Sequence, residues 1–208
     1  MATFTKTFTD SVDRNIDAYP NGAAEWVYVQ GATTDLQIIA ADSVLKATGF
    51  GGGDRAARYT GTGTVTGDQD VTITCTPATS NSYGACARMS AVAATYYLAK
   101  FDITQTNEVR LYRVVATTHT LIGSWDDGIT AGTHTLRIRV TGSGATISIS
   151  VQSDSNTIHT FDDTDALRIT SGHPGLYGYT DSSTAGISQW VLDDLISAGN
   201  PHYYYAQQ

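Results

Sequence analysis

The stretch from His134 to Val151, "HTLRIRVTGSGATISISV", decides the fold. On either side of "TGSG" the apolar residues alternate with polar ones. Leu136, Ile138 and Val140 fall on one parity, Ile147, Ile149 and Val151 on the matching one, and Arg137 and Arg139 point the other way. A period of two puts one face of each strand in a core and leaves the other in water. The short glycine-bearing link turns the two runs into a hairpin.

The same pattern extends outward. "DVTITCT" (Asp70–Thr76), "ACARMSAV" (Ala85–Val92), "TYYLAKFDIT" (Thr95–Thr104) and "NEVRLYRVVA" (Asn107–Ala116) are strand-length runs separated by polar turns. Nearer the N-terminus, "AEWVYVQG" carries Trp26 and Tyr28 on one face and Val27 and Val29 on the other, which suggests burial on both sides. "LQIIA" and "SVLKATG" follow as short strands. Many short antiparallel strands with no helical period predict an all-β sandwich or barrel. "GFGGGD" reads as a loop, and no lysine or helix follows to make it a phosphate cradle. Residues 1–200 are expected to form a single domain. Residues 201–208, "PHYYYAQQ", would be a terminal arm in which Tyr203, Tyr204 and Tyr205 either pack back or dock on a neighbour.

Composition narrows the function classes. The chain has 208 residues, 41% hydrophobic and 15% charged, with a net charge of −8. That balance lacks the basic footprint of a nucleic-acid binder. No apolar run is long enough for a membrane-spanning helix, and the N-terminal "MATFTKTFTD" lacks the apolar region of a secretory signal. Cys75 and Cys86 could face each other if their strands formed a hairpin, but Cys75 shares its parity with Val71 and Ile73, and a buried, reduced thiol is the preferred reading.

Three segments together resemble the concanavalin A-like lectin/glucanase superfamily of jelly rolls. They are "FTDSVDRNIDAYPNGAAEW" with Phe8, Asp10 and Trp26, "GTHTLRIRVTGSGATISISV", and the closing "GHPGLYGYTDSSTAGISQWVLDDL". The resemblance implies two stacked antiparallel sheets, a β-sandwich whose chain ends meet on one sheet. It also implies a structural calcium where the first and last strands meet, for which Asp10, Asp13, Asp193 and Asp194 would supply oxygens. The preferred alternative is that these aspartates blunt an edge or hold turns.

Chemistry is sparse. The glucanase branch of the superfamily uses two closely spaced glutamates on one strand, whereas this chain holds only Glu25 and Glu108, far apart. The pairs Asp126/Asp127, Asp162/Asp163 and Asp193/Asp194 read as turn or edge residues, because neighbouring strand residues face opposite ways. The histidines are scattered singly, although His119 and His134 could approach across a hairpin. No catalytic residue is assigned. A sugar site needs an exposed aromatic platform beside polar groups. Trp125 in "GSWDDG", with Asp126 and Asp127, is the first candidate, though rim packing is the commoner role for such a tryptophan. Tyr83, Tyr177 and Tyr179 are weaker candidates, and Trp26 and Trp190 are assigned to the core. The expected function is a non-enzymatic structural protein of a phage-like virion, a capsid decoration or fibre component that pairs with itself and with other virion proteins. The alternative is a carbohydrate-binding, lectin-like module outside the cell, and a glycoside hydrolase comes third.

Overall fold

The computed structural model describes residues 3–19, 25–32, 35–47, 53–61, 67–77, 82–102, 108–130, 132–179 and 186–194. The first strands are β1 (Thr3–Thr7), β2 (Arg14–Asn15), β3 (Trp26–Gln30), β4 (Leu36–Ile39), β5 (Val44–Ala47) and β6 (Asp54–Tyr59). Then come β7 (Gln69–Thr76), β8 (Ser82–Met89), β9 (Tyr96–Asp102), β10 (Glu108–Val115) and β11 (Thr118–Asp126). The last are β12 (His134–Thr141), β13 (Ile147–Ser153), β14 (His159–Asp163), β15 (His173–Tyr179) and β16 (Gly186–Asp194).

Two antiparallel sheets result. One runs β14-β13-β12-β7-β16-β5-β4-β2, with β1 also paired to β16; the other runs β11-β10-β9-β8-β15-β6-β3. The pairing of Thr3 with Asp193 brings the first and last strands together on one sheet. The hairpin at 134–151 forms as its alternation predicts, with Ile138 opposite Val151 and Val140 opposite Ile149. Between the sheets lies one apolar core, to which Leu136, Ile138 and Val140 contribute from one side and Tyr97, Phe101 and Leu111 from the other. Trp26 and Trp190 are buried there as expected, with ring centroids 5.1 Å apart at 73°. Edge-on aromatic pairs of this kind add about 1 kcal/mol beyond their buried area.

Two contacts that the sequence left open do not form, and one reading is sharpened. Cys75 and Cys86 are not hairpin partners: β7 and β8 belong to different sheets. Cys75 lies in the core between the sheets, while Cys86 lies in a second apolar cluster on the far face of the seven-stranded sheet, and both are free, buried thiols. Burial pushes both thiols up in pKa. His119 and His134 do not meet either; the first contacts Asp54 and the second Asp154. Asp163 does lie on an edge strand, β14, but it is buried. It points inward from β14, accepts the Tyr97 hydroxyl at 2.7 Å and pairs with Arg113 at 2.8 Å, joining the two sheets.

Candidate functional site

The far face of the seven-stranded sheet is not open to solvent like an ordinary sandwich exterior. It carries its own buried cluster of Ala56, Cys86, Met89, Tyr96, Leu98, Val114 and Tyr177. Polar contacts show why. His119 on β11 lies 3.1 Å from Asp54 on β6, although five strand steps separate them. In a flat sheet five steps span roughly 24 Å. Tyr96 on β9 likewise donates to Gln30 on β3 at 2.7 Å across four steps. The sheet therefore curls into a trough, and its two sides meet over the floor.

Two bulges put these polar residues where they are. By plain alternation His119 shares the parity of Trp125, which faces the core. The register shift between Leu111 and Tyr112 turns the strand, so that His119 comes opposite Val114 and faces the trough. The shift between Tyr28 and Gln30 does the same for Gln30 in β3. The β10–β11 turn adds strain: Ala116 and Thr117 both have positive φ (47° and 71°), a conformation that hairpin turns usually give to Asn or Gly. Bonds from the neighbouring turn hold it, Thr117 N to Ala94 O at 3.0 Å and Ala116 N to Thr95 Oγ1 at 3.1 Å.

Asp54 is the hub of one side of the trough. It accepts the Tyr177 hydroxyl and lies beside His119 and the Gln30 amide. The adjacent imidazole, helped by Tyr177, holds its carboxyl below the usual range against the opposing effect of burial. Along the trough's end, cross-strand pairs set Asp126 opposite Glu108, Glu108 opposite Asp102, and Tyr179 opposite both Ser82 and Asp54. Arg110 binds Asp102 and Glu108 at 2.8 Å each, and the Ser124 hydroxyl donates to Glu108 at 2.7 Å. Lys100 sits next to Arg110, its Nζ 5.3 Å from the Tyr112 ring centroid and 5.7 Å from that of Tyr177.

The structure separates the sugar-site candidates. Tyr83 is 1% exposed and Tyr177 0%, so neither can stack on a ligand. Tyr179, which shares the trough face with Tyr177, is 38% exposed. Trp125 turns inward at the edge where β11 approaches β14. Its ring stacks on His159 at 4.6 Å and 11°, and Gly123 lies so close that a Cβ there would fall 2.4 Å from the indole. Rim packing describes it. Asp127 supports that rim, accepting from His159 at 2.8 Å and from the Ser153 hydroxyl. Of this trio Asp126 alone faces the trough, opposite Glu108. Asp54, Lys100, Asp102, Arg110 and His119 escaped sequence reasoning, because the signals that unite them are cross-strand register and two bulges.

The calcium set does not converge. Asp193 lies beside Thr3, whose hydroxyl it accepts at 2.6 Å, while Asp10 lies beyond the opposite end of β1. Asp10 closes a local turn with Ser11 N and Arg14, and Asp13 caps Ala40 N at 2.9 Å. The side chain of Asp194 and all of Tyr203, Tyr204 and Tyr205 lie outside the described residues. Among the described residues no group of three or more histidine, cysteine, aspartate or glutamate side chains could hold a metal ion. The described members of the set, Asp10, Asp13 and Asp193, therefore do not fit the implied calcium.

No protein-family model matches the sequence, and no curated protein sequence matches it. Solved structures do. A β-glucanase from Bacillus licheniformis superposes with a TM-score of 0.60 at 12% identity, covering 93% of this chain and 99% of its own. The fold is the concanavalin A-like jelly roll. A carbohydrate-binding module from Bacillus subtilis aligns at a TM-score of 0.53 and 15% identity, over 82% of this chain and 92% of its own. The exoplasmic/lumenal domain of VIP36, in a Ca2+/Man3GlcNAc-bound form, aligns at 0.54 and 10%, over 95% and 93%. At such identities the likeness concerns the jelly roll alone, a fold that serves many functions.

Proposed function

We propose that this chain is a non-catalytic, lectin-like module that binds a saccharide at the end of the trough in its seven-stranded sheet. The observation that carries this reading is the placement of one open aromatic ring, Tyr179, beside a row of polar side chains on a single curled face. Tyrosine offers an apolar face for stacking on a pyranose, and fixed polar groups then select hydroxyls. Ser124, Asp126 and Lys100 supply those groups. Binding modules, lectins and glucanases among the structural neighbours favour glycan binding over the virion-assembly role expected from the sequence.

Hydrolysis is the weaker alternative. Asp102 and Glu108 stand opposite each other on the trough face, and glycosidases act through a pair of carboxyls. Both are tied to Arg110, however, and so are committed to structure rather than aimed at a scissile bond. A glycan array probed with the full chain and with Tyr179→Ala tests the proposal. The expected outcome is a restricted set of bound glycans, lost in the variant. Binding unchanged by Tyr179→Ala, or no bound glycan at all, would overturn it.

A further inference from the structure

Lys100 is a cation of the trough to which the described residues bring no acceptor. Arg110 directly opposite it is neutralised by Asp102 and Glu108, and Asp54 is occupied by Tyr177 and His119. No hydrogen bond or ion pair reaches the Lys100 ammonium from the described residues; it has two tyrosine ring faces beside it. Rings stabilise the charge, but they leave its three N–H donors unpaired. Gly84 makes the arrangement feasible. It lies opposite both Lys100 and Tyr177, and a Cβ there would fall 2.5 Å from Ala99 O and 3.1 Å from Lys100 Cβ.

A cost is built in here, because a partly desolvated ammonium without an acceptor is unfavourable. Burial draws the pKa of Lys100 below the ordinary lysine value, while Asp102 and Asp54 act on it only through space and in the opposite direction. The other two lysines show the contrast: Lys6 pairs with Glu25 and Lys46 with Asp42. A ligand oxyanion at Lys100 would remove that cost.

We propose that Lys100 is the selecting cation of the trough, and that the saccharide it selects carries an oxyanion, either a uronate carboxylate or a sulfate ester. This inference rests on the reading of the trough as a saccharide site. The ring of Tyr179 takes the sugar face, and the ammonium between Tyr112 and Tyr177 takes the acidic substituent. Such a charge-assisted contact weakens as salt rises.

The test is calorimetric titration of the full chain at low ionic strength with three oligosaccharides of matched length: a neutral glycan, a polyuronate and a sulfated glycan. One acidic class is expected to bind at least about tenfold more tightly than the neutral one, and which class does so identifies the substituent. Lys100→Met should erase that preference, bringing the acidic glycan to within about twofold of the neutral one. A second readout does not depend on how that variant folds. After reductive 13C-methylation, the Lys100 resonance should move with the acidic ligand, while those of ion-paired Lys6 and Lys46 stay fixed. Equal binding of neutral and acidic glycans, or a stationary Lys100 resonance, overturns the assignment of Lys100 and leaves the saccharide site standing. Failure of all three glycan classes to bind overturns both.

Discussion

In the nine-stranded sheet, β13 buries every second residue, whereas in the seven-stranded sheet β8 buries all eight of its residues. The first strand lies between a core and water. The second lies between two apolar clusters, because its sheet curls far enough to cover its own outer face. The contrast separates two kinds of aromatic residue. Trp26, Tyr59 and Trp190 interlock between the sheets and hold them together. Tyr96, Tyr112 and Tyr177 line the trough, where their hydroxyls and rings engage Gln30, Asp54 and Lys100. The first set joins the two sheets, and the second lines the face proposed here as the saccharide site.

The largest break in that contrast should come from Trp190→Ala. Removing a fully buried indole from the inter-sheet core is expected to cost about 3–5 kcal/mol, read from denaturant unfolding. Asp163→Ala should follow, at about 2 kcal/mol, because it removes the acceptor of the buried Tyr97 hydroxyl and one of the two carboxylates on Arg113, leaving Asp165. Both losses would accompany the whole fold rather than the trough alone. A Trp190→Ala variant with wild-type stability would show that the two aromatic sets are not divided as described.

A smaller effect sharpens the trough side. The folded carboxyl of Asp54 is held below its ordinary pKa, chiefly by His119. A depressed carboxyl contributes stability above its unfolded value of about 3.9, and that contribution is lost as pH falls through the folded value. Asp54→Asn should therefore flatten the acid limb of a stability-versus-pH profile without shifting its neutral plateau by more than about 1 kcal/mol. An unchanged acid limb would mean that the contacts across the trough do not bear on folding. The smallest effect concerns the thiols. With both cysteines buried, alkylation of the native protein should be negligible and should become complete only in denaturant.

How much of this the sequence disclosed follows from the same contrast. Alternation works where one face is wet, so Leu136, Ile138 and Val140 announce the hairpin and the sandwich. In β8, β9 and β15, with both faces largely buried, parity marks no side as functional, and Tyr177 looks as available as Tyr179. Bulges add a second obstacle. They move His119 and Gln30 to the face opposite the one their parity indicates, and no local residue pattern records the change. Lys100 and Arg110 lie ten positions apart in the chain yet directly opposite in register, which only the sheet order reveals. Trp125, the most conspicuous aromatic in a polar segment, is drawn to the rim by His159, which is distant in the chain, over the space that Gly123 leaves.

The measurement that tests the account most directly is a backbone amide chemical-shift map of the labelled protein, titrated with the tightest glycan from the array. The account predicts that the shifts concentrate on Lys100, Ser124, Asp126 and Tyr179, at one end of the curled sheet. Shifts gathered instead on the outer face of the other sheet, around the shallow depression lined by Arg137, Arg139, Ser150, Gln152 and Ile158, would contradict it.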